Sequence, residues 1–101
     1  VEAKISRWNA AAPQMVDTST RLDSVVLQDG TEVLTRFTLI EYGAEEVSQA
    51  DLTEFFEPLL VSGSCSDPEL ADLRGNGYKL TYEYRGRDGE YIGTLKLQGT
   101  C

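Results

Sequence analysis

The run from Leu52 to Leu60 carries the clearest periodicity in the chain, with Leu52, Phe55, Phe56, Leu59 and Leu60 at i, i+3, i+4, i+7 and i+8. That spacing gathers five large apolar side chains on one stripe of an α-helix, and such a helix must lie on something. Ser48 and Asp51, three residues apart just ahead of it, have the residue types of a capping box. Pro58 falls inside the run; without an N–H it removes the bond to Glu54 and predicts a kink or an early end. Phe55, Phe56, Leu59 and Leu60 are therefore expected to be mainly buried.

What the helix lies on is legible on both sides of it. Tyr78, Leu80, Tyr82 and Tyr84 alternate with Lys79, Thr81, Glu83 and Arg85, the period of a strand. Gly86 to Gly89 form a turn, and Tyr91 to Gln98 return, with Leu95 and Leu97 on the side of Tyr91. Upstream, Thr20–Gln28 and Thr31–Tyr42 flank Asp29-Gly30, a two-residue hairpin signal. The second of these has Leu34, Ile40 and Tyr42 on one parity and Val33, Phe37 and Leu39 on the other, which predicts a central strand at least partly covered on both faces. Asp67 suits a helix cap, Pro68 a first helical position, and Leu70 and Leu73 a buried face; Gly75 and Gly77 let the chain leave that second, shorter helix. At the start, Ile5, Trp8 and Ala12 fall at helical spacing before Pro13. This helix lays Trp8 on the core; a partner-binding arm is the alternative. The order predicts an α+β fold: a four-stranded antiparallel sheet of two hairpins (β-β-α-α-β-β), with an N-terminal helix and the other helices packed on it. With 101 residues, 41% of them hydrophobic, the chain makes one domain over residues 1–101 with a modest core.

Charge is distributed unevenly. Between Phe37 and Leu73 stand nine acids and no Lys or Arg, so the whole net charge of −8 sits on the helical middle. A solvated helix surface accounts for this, and acids near helix starts also suit the macrodipole. The functional alternative is an acidic face, with Glu45, Glu46 and Glu54 at its centre, that steers a basic protein partner, Trp8 being a candidate apolar anchor. A negative protein is repelled by nucleic acid and by anionic membrane surfaces, and no apolar run reaches the ~18 residues of a membrane span. The domain is expected to be a monomer.

The residues of catalysis are hard to find. There is no histidine. The carboxylate pairs Glu45-Glu46 and Asp67-Glu69 are neighbours in sequence, not groups facing each other across a cleft. Ser62, Ser64 and Ser66 flank Cys65 without a base. Gly75-Asn76-Gly77 is too short to cradle a phosphate, and Asp88-Gly89 lacks the further acids of a calcium loop. The tyrosine row could stack ligands but reads as core packing. No catalytic, cofactor or metal site is expected, and the chain is not read as an enzyme.

Two cysteines, Cys65 and Cys101, cannot make a zinc site without histidine. They form either a disulfide or two buried spectators, and a terminal cysteine is hard to bury. A bridge implies an oxidising compartment, and hence a mature exported chain whose leader is gone.

Cys65-Ser66-Asp67-Pro68-Glu69-Leu70, Asn76-Gly77-Tyr78, Tyr82-Glu83-Tyr84, Asp88-Gly89 and the closing Cys101 resemble a group of small exported bacterial domains of largely uncharacterised function, periplasmic or secreted. Pro13-Gln14-Met15-Val16-Asp17 and Thr20-Arg21-Leu22-Asp23 resemble them too. A wider similarity runs to the disulfide-bonded pilotins of type II secretion, whose C-terminal halves also read Cys, Asp-Pro, short helix, Gly, strand hairpin, Cys. Pilotins are lipoproteins that bind the C-terminal helix of an outer-membrane secretin subunit. The likeness implies a Cys65–Cys101 bridge and a helix-plus-sheet fold, and it transfers no contact residues. No lipid-bearing cysteine stands near Val1, so either it lies outside the sequence given or, the expectation preferred, the protein is a free secreted relative. The expected function is protein binding without catalysis. A pilotin-like chaperone of secretin assembly and a secreted enzyme inhibitor or host-directed effector are the alternatives.

Overall fold

Asp29 and Gly30 both take positive φ, 50° and 74°, the left-handed pair of a tight hairpin turn. In the computed structural model, which describes residues 2–99, they join β2 (Thr20–Gln28) to β3 (Glu32–Leu39) as an antiparallel pair. A bulge between Leu22 and Ser24 explains why β2 shows no clean alternation in sequence. Thr20 and Leu22 before it and Val25 and Leu27 after it all pair with odd-numbered residues of β3, so they share one face. Ahead of β2, residues Glu2–Ala10 form α1 and Gln14–Met15 add a two-residue edge strand, β1, that is too short to leave a pattern.

The second hairpin, β4 (Lys79–Arg85) with β5 (Tyr91–Leu97), is also present, but the two hairpins do not join as expected. β4 pairs with β3 in parallel, from Glu32↔Lys79 to Thr38↔Arg85, and the sheet has five strands in the order β1-β2-β3-β4-β5. The expectation of four antiparallel strands is therefore corrected to a five-stranded mixed sheet. The reason lies in the connection. Helical residues 49–66 span about 27 Å at 1.5 Å per residue, close to the length of an eight-residue strand at about 3.3 Å per residue. They carry the chain back to the end of the sheet where β3 began, and there Lys79 N–H donates to Thr31 C=O at 2.9 Å. A strand entering at that end runs parallel to its neighbour.

That helical run is itself irregular. Ser48 and Asp51 form the capping box, with Asp51 N–H to Ser48 Oγ at 3.2 Å and Ser48 N–H to Asp51 Oδ2 at 2.9 Å, and open α2 (Gln49–Asp51). A π-turn over Leu52–Phe56 follows, closed by Glu57 N–H donating to Leu52 C=O, and α3 continues over Glu57–Ser66. Pro58 therefore stands directly after the widened turn, near the start of α3, and the helical run does not end there. The widened turn also changes which residues point inward. Leu52 and Ser64 are buried, with Phe56 and Leu60 packed between them on the core, a spacing of four. Phe55 and Leu59 rotate outward and are 60% and 67% exposed. Their expected burial is overturned for that reason.

α4 (Pro68–Gly75) is capped by Asp67, whose Oδ1 accepts from Glu69 N–H at 2.9 Å, and Leu73 is buried beneath it. The core lies on one face of the sheet. Val25, Val33, Phe37, Leu39, Leu80, Tyr82, Tyr84, Leu95 and Leu97 meet Ile5 of α1, Leu52 and Leu73 there. The tyrosine row is core packing, as the alternation predicts. Phe37 stacks on Tyr82 at 5.9 Å and contacts Tyr84 at 5.2 Å, and Phe56 stacks on Tyr84 at 5.4 Å. A bulge at Tyr84/Arg85 displaces Tyr91 from the line of Leu95 and leaves it exposed. The other face of the sheet is laced with charge. Arg36 and Arg85 reach Glu83 at 3.3 and 2.7 Å, Arg21 reaches Asp23 at 2.6 Å, and Thr38 and Thr81 bond to Asp23 and Glu32. Leu34 is buried there beneath its polar neighbours.

Candidate binding cleft

The helices do not cover the sheet evenly. α1 rests on β2 while α4 rests on β4, and a gap remains between the two helices above the sheet. The result is an apolar cleft of about 320 Å³. Its floor is Val25, Val33, Phe37, Leu80 and Tyr82; Trp8 of α1 and Ala11 just after it form one wall, and Leu70 with Asp67 the other. Aliphatic and aromatic side chains at the floor give a ligand contact area, while Asp67, Gln14 and Thr35 add polar groups to the lining.

Two ion pairs cross from one wall to the other. Arg7 Nη2 meets Glu69 Oε2 at 2.5 Å, and Lys4 Nζ lies 3.7 Å from Asp72 Oδ2. Both pairs are solvent-exposed, so each holds α1 against α4 only weakly. Beneath the cleft, burial pushes the Tyr82 hydroxyl up to about 12, an effect that Arg74 opposes and Asp67 reinforces. Burial also raises Tyr84, further still. Both hydroxyls remain protonated at neutral pH.

The sequence-selected residues fall on separate surfaces. Trp8 is half-buried in the cleft wall. Glu45 is exposed in the turn after β3, and Glu54 is exposed on the π-turn. Glu46 is engaged within the fold: it accepts from Gly43 N–H at 3.1 Å and pairs with Arg87 at 2.9 Å. The Gly43 bond, ahead of Arg87, holds its carboxyl below the ordinary range. None of the three acids lines the cleft. The acidic middle is thus partly answered from elsewhere in the chain, Glu46 by Arg87, Glu69 by Arg7 and Asp72 by Lys4.

Cys65 is half-buried near the end of α3 and is not a free thiol. Its expected partner, Cys101, lies outside the described residues. Next to Cys65 is a group that no motif announced, the buried Arg74. Its Nε donates to Gly99 C=O at 3.0 Å, while Nη1 donates to Ser64 Oγ at 2.8 Å and lies 3.5 Å from Cys65 Sγ. One side chain therefore ties the segment after β5 to the end of α3. Among the described residues no helix is long and apolar enough to cross a membrane.

No protein-family model matches the chain, and no curated protein matches it in sequence. Two solved structures share its fold. A candidate secreted protein of Pseudomonas aeruginosa superposes with a TM-score of 0.76 at 14% identity, over 96% of this chain and 84% of that one. The pilotin EpsS of the Vibrio vulnificus type 2 secretion system superposes with a TM-score of 0.75 at 14% identity, over 95% of this chain and 82% of that one. The domain therefore has the α+β fold of a secretion pilotin and of a candidate secreted protein, with its open cleft between α1 and α4.

Proposed function

We propose that this domain is a non-catalytic binding module of an exported protein, and that its cleft receives an apolar, basic-flanked helical segment of a protein partner. The cleft itself carries the reading: a concave apolar surface open between two helices suits the ridge of an amphipathic helix. The pilotin neighbour supports a protein partner, and a pilotin-like role in secretin assembly is the finer form of the proposal. The net charge of −8 favours a basic partner and speeds its approach, with Glu45 and Glu54 contributing to the field. Periplasmic or secreted location follows from the same reading. So does a Cys65–Cys101 bridge, because Arg74 holds Gly99 beside Cys65 and two further residues reach at most about 7 Å.

Trp8 is the single tryptophan of the chain and stands in the cleft wall, so it reports occupancy directly. A partner captured from bacterial envelope extract and identified by mass spectrometry is expected to shift Trp8 emission on binding. Ala11→Trp, which fills the cleft from its wall, is expected to abolish binding with the melting temperature unchanged; this variant is read by calorimetry. Glu45→Lys with Glu54→Lys is expected to slow association and to weaken its salt dependence. Binding that survives the filled cleft at full affinity overturns the assignment.

A further inference from the structure

The two ion pairs over the cleft are in register with each other. Lys4 and Arg7 stand three apart on α1, and Glu69 and Asp72 stand three apart on α4. Residues three apart are neighbours on a helix surface, so each helix presents a ridge of two like charges. Lys4 meets Asp72 and Arg7 meets Glu69, so the ridges run in opposite directions. One turn further on, the match ends. Asp67, at the cap ahead of α4, lines the cleft, and among the described residues it forms no ion pair. The residue one turn beyond Arg7 is Ala11, whose N–H donates to Arg7 C=O at 3.3 Å and which lines the same cleft. α1 thus answers two acids of the opposite wall and leaves unanswered the one inside the cleft. With Ile5 buried and Trp8 half-buried beside Lys4 and Arg7, α1 is itself an apolar, basic helix seated next to α4.

Granted that the cleft holds an apolar, basic-flanked helix, we infer that Asp67, Glu69 and Asp72 select that helix by three cations at i, i+3 and i+7 beside its apolar stripe, and that Lys4 and Arg7 hold two of those places in the free domain. A helix entering between the walls has to part both pairs, because they span the gap. Both are exposed and weak, so cations brought by the partner replace Lys4 and Arg7 readily. The third cation finds Asp67, which α1 cannot supply. The net charge of −8 attracts any arrangement of cations alike; the three carboxylates distinguish one arrangement from another.

The test uses the full chain and two synthetic peptides without tryptophan, each of about 15 residues, with the same composition and the same leucine stripe. In one, three arginines stand at i, i+3 and i+7 beside the stripe; in the other they lie on the face opposite it. Trp8 emission reads occupancy. The first peptide is expected to bind about fivefold or more tightly than the second. With Asp67→Asn, Glu69→Gln and Asp72→Asn together, the two are expected to bind alike; the ratio of affinities cancels the change in net charge. Asparagine keeps a capping side chain at residue 67, and if the triple variant fails to fold, Glu69→Gln alone is expected to lower the preference about twofold. With Lys4→Gln and Arg7→Gln, the first peptide is expected to gain about threefold and the second nothing, which separates freed acids from a loosened α1. Equal binding of the two peptides to the unmodified domain overturns the inference while the cleft assignment stands. So does a preference that survives neutralisation of the three acids. If neither peptide moves Trp8 emission, even with Lys4 and Arg7 replaced, the cleft assignment fails and the inference with it.

Discussion

Truncating Leu52 and Phe55 to alanine, three residues apart on one helical run, separates a widened turn from an ordinary helix. Leu52 is 0% exposed and packs beside Gly93, so removal of its side chain leaves a cavity between the π-turn and β5. Buried Leu→Ala changes cost about 2–5 kcal/mol, and the tight surroundings place this site near about 3. For a domain of this size each kcal/mol lowers the melting temperature by roughly 4–8 °C, so Leu52→Ala is expected to melt roughly 12–24 °C lower. Phe55 is 60% exposed, and its removal opens no enclosed space. Phe55→Ala is expected to stay within about 0.5 kcal/mol of the parent, as surface substitutions do. Calorimetric melts of the two variants at one pH and salt concentration decide it. Equal, large losses at both positions would mean that Phe55 lies in the core, and the argument from the π-turn would fail.

Two further outcomes are expected. Non-reducing mass spectrometry should find the chain two hydrogens lighter than the dithiol, and Cys65→Ser should cost about 4 kcal/mol by the loop-entropy relation; alkylation of the native protein by a thiol reagent would refute the bridge. At alkaline pH, Tyr82 ionises near 10 when unfolded and at about 12 when folded, so the unfolded state loses its proton first. Stability should therefore be intact below pH 10 and fall as pH rises towards 12, and Tyr82→Phe should flatten that fall in pH-dependent denaturant melts.

Local chemistry was legible and long-range geometry was not. Asp29-Gly30, the Ser48/Asp51 box, Asp67-Pro68 and the alternation from Tyr78 to Tyr84 each act within a few residues, and each stands where its pattern placed it. The parallel joining of β3 to β4 depends on where a helical excursion of nearly forty residues returns the chain, which no local pattern records. The π-turn was hidden for a different reason. Leu52, Phe55, Phe56, Leu59 and Leu60 fit an α-helical stripe, and only the added backbone width, with Pro58 just beyond it, sends two of the five outward. Of the candidate site, Trp8 was recognised by type and spacing, whereas the floor of the cleft could not be separated from the core. Val33, Phe37 and Tyr82 are buried core residues that also form the bottom of the gap between α1 and α4. Arg74 carried no motif, since it acts through a partner distant in sequence, Gly99.

The fastening of α1 has a kinetic consequence. This wall of the cleft is held by one fully enclosed side chain, Ile5, by the half-buried Trp8, by the Asn9 bond to β2 and by two exposed ion pairs. The opposite wall is continuous with the capped helical segment, which Arg74 ties to Gly99. α1 is therefore the element able to detach while the sheet stays folded, at a fraction of the global unfolding free energy. Amide exchange along residues 2–10 should then proceed by sub-global opening. The cleft becomes an aperture whose width fluctuates, so a bulky ligand enters in the minority of moments when α1 has lifted. Its apparent affinity is reduced by that fraction, and raising the salt concentration, which loosens Arg7 from Glu69, increases the fraction open.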